Sequence, residues 1–188
     1  MPRLPRLQLA GGVYHVISRG NRGQKIFHAE GDYVRFLAIL ENVVERLGWK
    51  CHAYCLMPNH FHLVIETREP NISTGMQRLN STYAQWFNHR YGYSGHLFQG
   101  RFYGQIVESS YHLLELARYV VLNPVRAGLC SDAAGWKWSS YRAVAGEIKR
   151  AAFLTVEWLL GQFGKDPVQA RETFRQFVLD APSRPRPP

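Results

Sequence analysis

The stretch Pro58-Asn59-His60-Phe61-His62-Leu63-Val64-Ile65-Glu66 alternates as a β-strand does. Strand side chains point to opposite faces in turn, so Phe61, Leu63 and Ile65 share one face and His60 and His62 the other. Two imidazoles about 7 Å apart along one strand face can converge on a single metal ion. Taken alone, a His-x-His pair is more often two ordinary polar residues than a ligand set. The metal reading therefore needs partners from elsewhere in the chain.

Arg118-Tyr119-Val120-Val121-Leu122-Asn123-Pro124 offers them. Tyr119 and Asn123 are four residues apart and share one face of a helix. Singly, each has an ordinary role, a tyrosine at a core edge and an asparagine ending a helix before proline. Together, two imidazoles, an amide and a phenol suit the cutting of a phosphodiester through a covalent tyrosine link. Such a reaction needs a deprotonated nucleophile, although free tyrosine has a pKa of about 10. It also needs charge on the phosphoryl oxygens to be neutralised, which a divalent ion does. Neutral ligands leave the ion's full charge facing the anionic substrate. Imidazole suits manganese, zinc, cobalt or nickel and oxygen ligands suit magnesium, so the residue types do not fix the metal. A tyrosine ester stores the bond energy, so a free hydroxyl end can later rejoin the strand without ATP. Tyr111, near the start of the same helix, is the alternative nucleophile.

The 188 residues suffice for one domain, or one with a small appendage. Lys plus Arg number 23 against 14 acidic residues, a formal charge of +9, which favours a polyanionic partner such as nucleic acid over a merely soluble basic protein. The basic residues are spread along the chain, as on a folded binding surface rather than a disordered arm. Cys51, Cys55 and Cys130 make no disulfide framework and no Cys-x-x-Cys pair. A structural zinc site built from Cys51, Cys55 and His60 is a weak alternative. No apolar run is long enough to span a membrane, and the N-terminus lacks a signal-peptide core. The expected location is the cytoplasm.

Along the chain, residues 1–11 read as a loose leader and Val13–Ser18 as a first strand. Tyr14 and Val16 lie on one of its faces and Val13, His15 and Ile17 on the other. Gly20-Asn21-Arg22-Gly23-Gln24 is turn chemistry surrounded by Arg19, Arg22 and Lys25. It suits a phosphate contact or a plain connecting loop equally. Asp32 is the expected N-cap of a helix running to Gly48. Lys50–Met57 and His60–Thr67 read as a hairpin. Asn71 or Ser73 opens a second helix ending near Arg90, with Gln77, Arg78, Asn80, Ser81, Gln85 and His89 on its polar face. A fourth strand is expected near Tyr103–Val107, with Gln99 and Arg101 placed to meet a nucleic-acid backbone. Ser109 or Ser110 caps a third helix that Pro124 ends. This order predicts an α+β, ferredoxin-like split βαβ domain with a four-stranded antiparallel sheet, an added helix carrying Tyr119 and a small C-terminal helical extension. The expected division is 1–130 for the catalytic domain and 131–188 for the extension. In the extension, Trp136-Lys137-Trp138-Ser139-Ser140-Tyr141-Arg142 is read as packing on the domain rather than stacking on bases. Thr155 and Asp166-Pro167 cap two short helices, and Pro182–Pro188 is a disordered basic tail.

At His60-Phe61-His62 and at Arg118-Tyr119-Val120-Val121-Leu122-Asn123-Pro124-Val125-Arg126-Ala127-Gly128 the chain resembles the REP-associated tyrosine transposases, relatives of the HUH single-stranded DNA transposases. Tyr14-His15-Val16, Phe98-Gln99-Gly100-Arg101-Phe102 and Trp138-Ser139-Ser140-Tyr141 also match, so the resemblance spans roughly residues 12–145. It implies that His60, His62 and Asn123 bind a divalent metal, Mg2+ or Mn2+. It implies that Tyr119 attacks DNA, is joined to its 5′ phosphate and releases a 3′ hydroxyl. The implied partner is single-stranded or hairpin DNA formed by REP-like palindromes. On the reading of the residues themselves, the expected DNA contacts are Arg19, Arg22, Lys25, Gln99, Arg101 and Arg126. The implied setting is the bacterial nucleoid, with the chain a monomer or a homodimer. The competing expectation is a ferredoxin-like module that binds single strands by stacking and cuts nothing. That module has no need of His60, His62, Tyr119 and Asn123 together.

Overall fold

A computed structural model describes residues 8–181. The expected tail at 182–188 and the start of the leader, residues 1–7, lie outside the described residues. In chain order the elements are β1 (Val13–Arg19), α1 (Glu30–Leu47), β2 (Lys50–Met57), β3 (His60–Glu66), α2 (Ile72–Tyr91), β4 (Tyr103–Ile106) and α3 (Ser110–Arg126). Three short helices follow, α4 (Tyr141–Val144), α5 (Glu157–Gly161) and α6 (Pro167–Leu179).

The sheet order is β2-β3-β1-β4, with every pairing antiparallel. β1 and β2 both run against β3, so they are parallel to each other and α1 is the crossover between them. This is the ferredoxin-like α+β arrangement. Helices α1 and α2 cover one face, where Phe36 packs 4.6 Å from Phe61 and Tyr83 is fully buried. The Tyr83 hydroxyl donates to the Ile26 carbonyl at 2.6 Å. Helix α3 covers the other face, across β2 and β3. With both faces covered, Phe61, Leu63, Val64 and Ile65 are all buried, although the β3 sequence alternates between His and apolar residues at its start.

Residues 131–181 contribute Tyr141, Leu154, Phe174 and Val178 to the same hydrophobic core. They also close the outer edge of β2. Leu56 N donates to Trp138 O at 2.9 Å, Ser140 N to Tyr54 O at 2.9 Å and Thr155 N to Cys51 O at 2.8 Å. The Trp136 indole N–H donates to Leu56 O at 3.0 Å, and Trp138 stacks on Tyr33 at 4.5 Å. The aromatic run therefore packs on the domain, as expected, and protects an edge strand from stray pairing. Among the described residues no helix is long and apolar enough to cross a membrane.

Four local expectations are corrected. Residues 8–11 are tied down rather than loose: Gly11 N donates to Thr67 O at 2.7 Å and Leu9 N to the Tyr14 hydroxyl at 2.6 Å. Asp32 is not the N-cap of α1, which starts at Glu30. Its carboxylate reaches back and accepts from His28 N at 2.7 Å and Ala29 N at 2.9 Å, and it also accepts from the Tyr91 hydroxyl. Arg90 pairs with it at 3.3 Å. Thr155 precedes the cap of α5, which is Val156, because its backbone is committed to β2. Pro124 does not end α3, which continues to Arg126. Ser109 is the α3 cap and accepts from His112 N, while Asp166 caps α6 with Pro167 behind it, as the sequence indicates.

Asp32 is fully buried, so truncation leaves two backbone N–H groups, a phenol and a guanidinium without their acceptor. Asp32→Ala is expected to lower the unfolding free energy by about 2–4 kcal/mol in urea denaturation. A change of less than about 0.5 kcal/mol, typical of a surface site, would contradict this role.

Candidate active site

The face of the sheet under α3 carries imidazoles where a core normally carries aliphatic groups. His62 is 3% exposed and His15, on the neighbouring β1, is 5% exposed. Strand alternation puts both on the α3 side, since Phe61 and Ser18 face α1 and α2. His15 Nε2 lies 2.9 Å from His62 Nδ1. The His60 and His62 rings are 5.0 Å apart. His60 Nδ1 lies 2.7 Å from the Asn59 side-chain oxygen, and the Asn59 amide donates in turn to Gly23 O at 3.1 Å.

These contacts decide which nitrogens remain free. A side-chain oxygen can only accept, so His60 Nδ1 carries the proton and Nε2 keeps its lone pair. When His62 Nδ1–H donates to His15 Nε2, the His62 Nε2 lone pair is free as well. Metal-bound histidines characteristically have their second nitrogen held in this way. Burial lowers all three pKa values. His60 falls to about 4, chiefly by burial and then by the Arg19 charge. His15 falls to about 4 by burial and then by His112. His62 falls well below its ordinary value by burial and then by its two imidazole neighbours. Neutral imidazoles at pH 7 are what a cation requires.

Tyr119 enters this face from α3. Its half-buried ring stands edge-on to His62 at 5.9 Å and to His15 at 6.1 Å. Among the described residues its hydroxyl has no hydrogen-bond partner and is free to meet a substrate. The Arg126 guanidinium lies 4.9 Å from the ring centroid, which puts a positive charge beside the phenol. Tyr111, the alternative nucleophile, is 73% exposed at the far end of α3.

Asn123 explains why α3 survives Pro124. Proline lacks the N–H that would bond the Val120 carbonyl. The Asn123 side-chain N–H2 takes over, donating to Tyr119 O at 2.9 Å and Val120 O at 3.3 Å. Both contacts use nitrogen, so the amide oxygen is the end left to face outward. Helix α3 is itself braced by α6, where Arg118 lies 4.2 Å from the Phe177 ring and donates to Phe177 O at 3.2 Å.

The other expected contact residues divide between two places. Arg19 is the register partner of His60 and shares its face. Arg126 lies on Tyr119. Lys25 is exposed beside Ile26, whose N–H bonds Pro58 O at 2.8 Å. Arg22 is exposed in the Asn21–Gly23 turn with φ 54°, a left-handed conformation. Gly20 has no alternative there, since a Cβ would come 2.1 Å from Gln24 O. Gln99 and Arg101 instead line a cavity against α2.

The cysteine alternative is not supported. Cys51 and Cys55 are fully buried and burial raises both thiols, Cys51 to about 12. Glu66 is paired with Lys50 and His52, and Glu115 with Arg118. Among the described residues no group of three His, Cys, Asp or Glu side chains is placed to hold an ion. A third protein ligand beside His60 and His62 would have to be of another type, and the Asn123 amide oxygen is one. His15 and Asn59 were missed as parts of this site. The signal for His15 was present in the Tyr14-His15-Val16 alternation, but pairing register was not.

A sequence profile for the family described as "Transposase IS200 like" matches residues 9–123. No curated protein matches the chain. Among solved structures the fold is similar to that of a REP-associated tyrosine transposase bound to a REP hairpin. The identity is 17% and the TM-score 0.66, over 84% of this chain and 91% of that one. A Deinococcus radiodurans chain provisionally named a transposase is similar at 19% identity and TM-score 0.42, over 64% of this chain and 94% of that one. The tRNA(His) guanylyltransferase of Saccharomyces cerevisiae is similar at 10% identity and TM-score 0.48, over 96% and 85%.

The buried imidazoles also set a pH dependence. Their folded pKa values lie below the ordinary 6.5, so the unfolded chain takes up protons first as pH falls. Their contribution to stability is complete above pH 6.5 and is lost on descending to about 4. The melting temperature of metal-free protein is expected to drop across that window, and to drop less in His62→Phe. Equal slopes in the two proteins would contradict the assignment.

Proposed function

The chain belongs to the IS200-like transposase family, and from that premise we propose that it is a metal-dependent endonuclease and strand-transferase acting on single-stranded, hairpin-forming DNA. The observation that carries the proposal is the Tyr119 ring 5.9 Å from His62, which in turn lies 5.0 Å from His60, with Nδ1 of both imidazoles engaged. His60, His62 and the Asn123 amide oxygen are the groups that would hold a divalent ion, Mg2+ or Mn2+. When bound, that ion supplies positive charge to the scissile phosphate.

The rest of the reaction belongs to the side chains. Tyr119 Oη forms a bond to phosphorus as the bond to the 3′ oxygen breaks. The phenolic proton is lost and one proton is gained by the leaving oxygen. The products are a 5′-phosphotyrosine ester and a 3′ hydroxyl. In the reverse direction a 3′ hydroxyl attacks the ester, so strands rejoin with no external energy source. Arg126 and Arg19 flank the phosphate path with positive charge. His15 and Asn59 orient the two imidazoles without touching the substrate. The hairpin preference is supported by the similar fold that was solved with a REP hairpin. A module that only binds DNA gains nothing from burying two imidazoles against an unbonded phenol with a third beside them.

Incubation of labelled hairpin oligonucleotides with Mn2+ should give a covalent protein–DNA band on a denaturing gel. Tyr119→Phe should lose the band while keeping DNA affinity within about threefold. A band that persists would move the nucleophile elsewhere. His15→Ala should weaken Mn2+ binding, measured by calorimetry, by about 10–100-fold through loss of ring orientation. Unchanged Mn2+ affinity would remove His15 from the site.

A further inference from the structure

The turn after β1 is strained at one residue and tied to His60 by another. Arg22, at φ 54° and ψ 24°, is the one non-glycine residue with positive φ among the described residues. A left-handed backbone is costly for any residue with a Cβ, and arginine lacks the short polar side chain that lets asparagine adopt it. Such strain persists only where the surroundings impose it, and it gathers at functional positions. Here the turn is closed by its own backbone: Gly23 N donates to Gly20 O at 2.9 Å, Gln24 N to Asn21 O at 3.0 Å and Asn21 N to Leu97 O at 2.8 Å.

Asn59 holds the turn at both ends. Its backbone oxygen accepts from Gly20 N at 2.8 Å, and its side-chain amide donates to Gly23 O at 3.1 Å. The oxygen of the same side chain lies 2.7 Å from His60 Nδ1. A carboxamide has donors at one end and an acceptor at the other. While Gly23 O takes the nitrogen end, the oxygen end faces His60, so Nδ1 holds the proton and Nε2 keeps its lone pair. With Gly23 O withdrawn, the amide is free to turn over and offer N–H to Nδ1, and the proton then sits on Nε2. The position of the Gly23 carbonyl therefore sets the tautomer of His60.

The same turn carries positive charge. Arg19 reaches over it, with Nη2 3.8 Å from the point that a Cβ on Gly23 would occupy. Arg22 and Lys25 are exposed. Among the described residues none of these three side chains has an ion pair or a hydrogen bond. We propose that Arg22 is a positioning residue: a phosphate of the DNA backbone, taken by Arg22 and Arg19, holds the Gly20–Gln24 turn closed and keeps His60 in its ion-binding tautomer. DNA and the divalent ion then favour one another's binding by the same factor in each direction. This rests on the cleavage reading for the identity of the DNA and the ion.

The test measures Mn2+ affinity by calorimetry in a Tyr119→Phe background, with and without saturating hairpin DNA. DNA should raise the Mn2+ affinity of that parent by about tenfold. Adding Arg22→Gly removes the charge and suits the left-handed backbone, so the melting temperature should not fall and DNA-free Mn2+ affinity should stay within about twofold. The gain from DNA should shrink by about threefold or more in Arg22→Gly and persist in Arg22→Lys. Direct bonding of a phosphate to the ion adds to the gain in every variant, so the difference between variants reports the turn. In metal-free protein, nitrogen NMR of the His60 ring should show DNA stabilising the Nδ1–H tautomer in the parent and not in Arg22→Gly. A gain and a tautomer indifferent to Arg22 would overturn the proposal and leave Arg22 a plain DNA contact. Equal loss of Mn2+ affinity with and without DNA would overturn it in favour of a merely structural role. Absence of Mn2+ binding in every sample would instead overturn the cleavage reading itself.

Discussion

The 2.9 Å hydrogen bond between His15 Nε2 and His62 Nδ1 links the central strand to its neighbour beneath α3. Buried polar groups are tolerated only when paired, and an unpaired imidazole there would cost on the order of 1–3 kcal/mol. The pairing satisfies one nitrogen of each ring and leaves His62 Nε2 without a protein partner. Asn59 does the same for His60 from the hairpin turn. The fold thus sets His62 against one phenol with His60 beside it, and burial there excludes much of the water that would screen a charge.

Helix α3 has to stay on that face for the arrangement to last. Three features keep it there. Its apolar stripe of Leu113, Leu116, Ala117, Val120 and Val121 is buried. Arg118 ties it to α6. Asn123 bonds the carbonyls that Pro124 leaves open, which preserves the helix past Tyr119 and turns the amide oxygen outward. The C-terminal segment supports the same face indirectly, because its backbone bonds complete the outer edge of β2 on which α3 rests.

Local periodicity made much of this legible. Phe61, Leu63 and Ile65 against His60 and His62 gave β3 its two faces, and the four-residue spacing of Tyr119 and Asn123 put them on one helical face. What was not legible depends on distant partners. His15 reaches His62 because β1 pairs β3 in a register that puts Ile17 opposite His62 and His15 one step along the same face. Nothing within Tyr14-His15-Val16 fixes that register. Asp32 has the chemistry of an N-cap but lies within the first turn of α1, where Tyr91 and Arg90 from the end of α2 complete its environment. Pro124 is a sound helix-ending signal, overridden by a neighbouring side chain whose direction the sequence does not show. The polar face of α2 was legible in the sequence, but its apposition to residues 95–102 was not, because that segment lies beyond the helix.

The central claim is that His60 and His62 present Nε2 to one ion within reach of Tyr119. Anomalous diffraction from crystals soaked in Mn2+ tests it most directly. The account predicts one peak about 2 Å from Nε2 of both histidines and from the Asn123 amide oxygen, with the His15–His62 bond intact. Absence of a peak on that face, or an ion held through Nδ1 with His15 displaced, would contradict it.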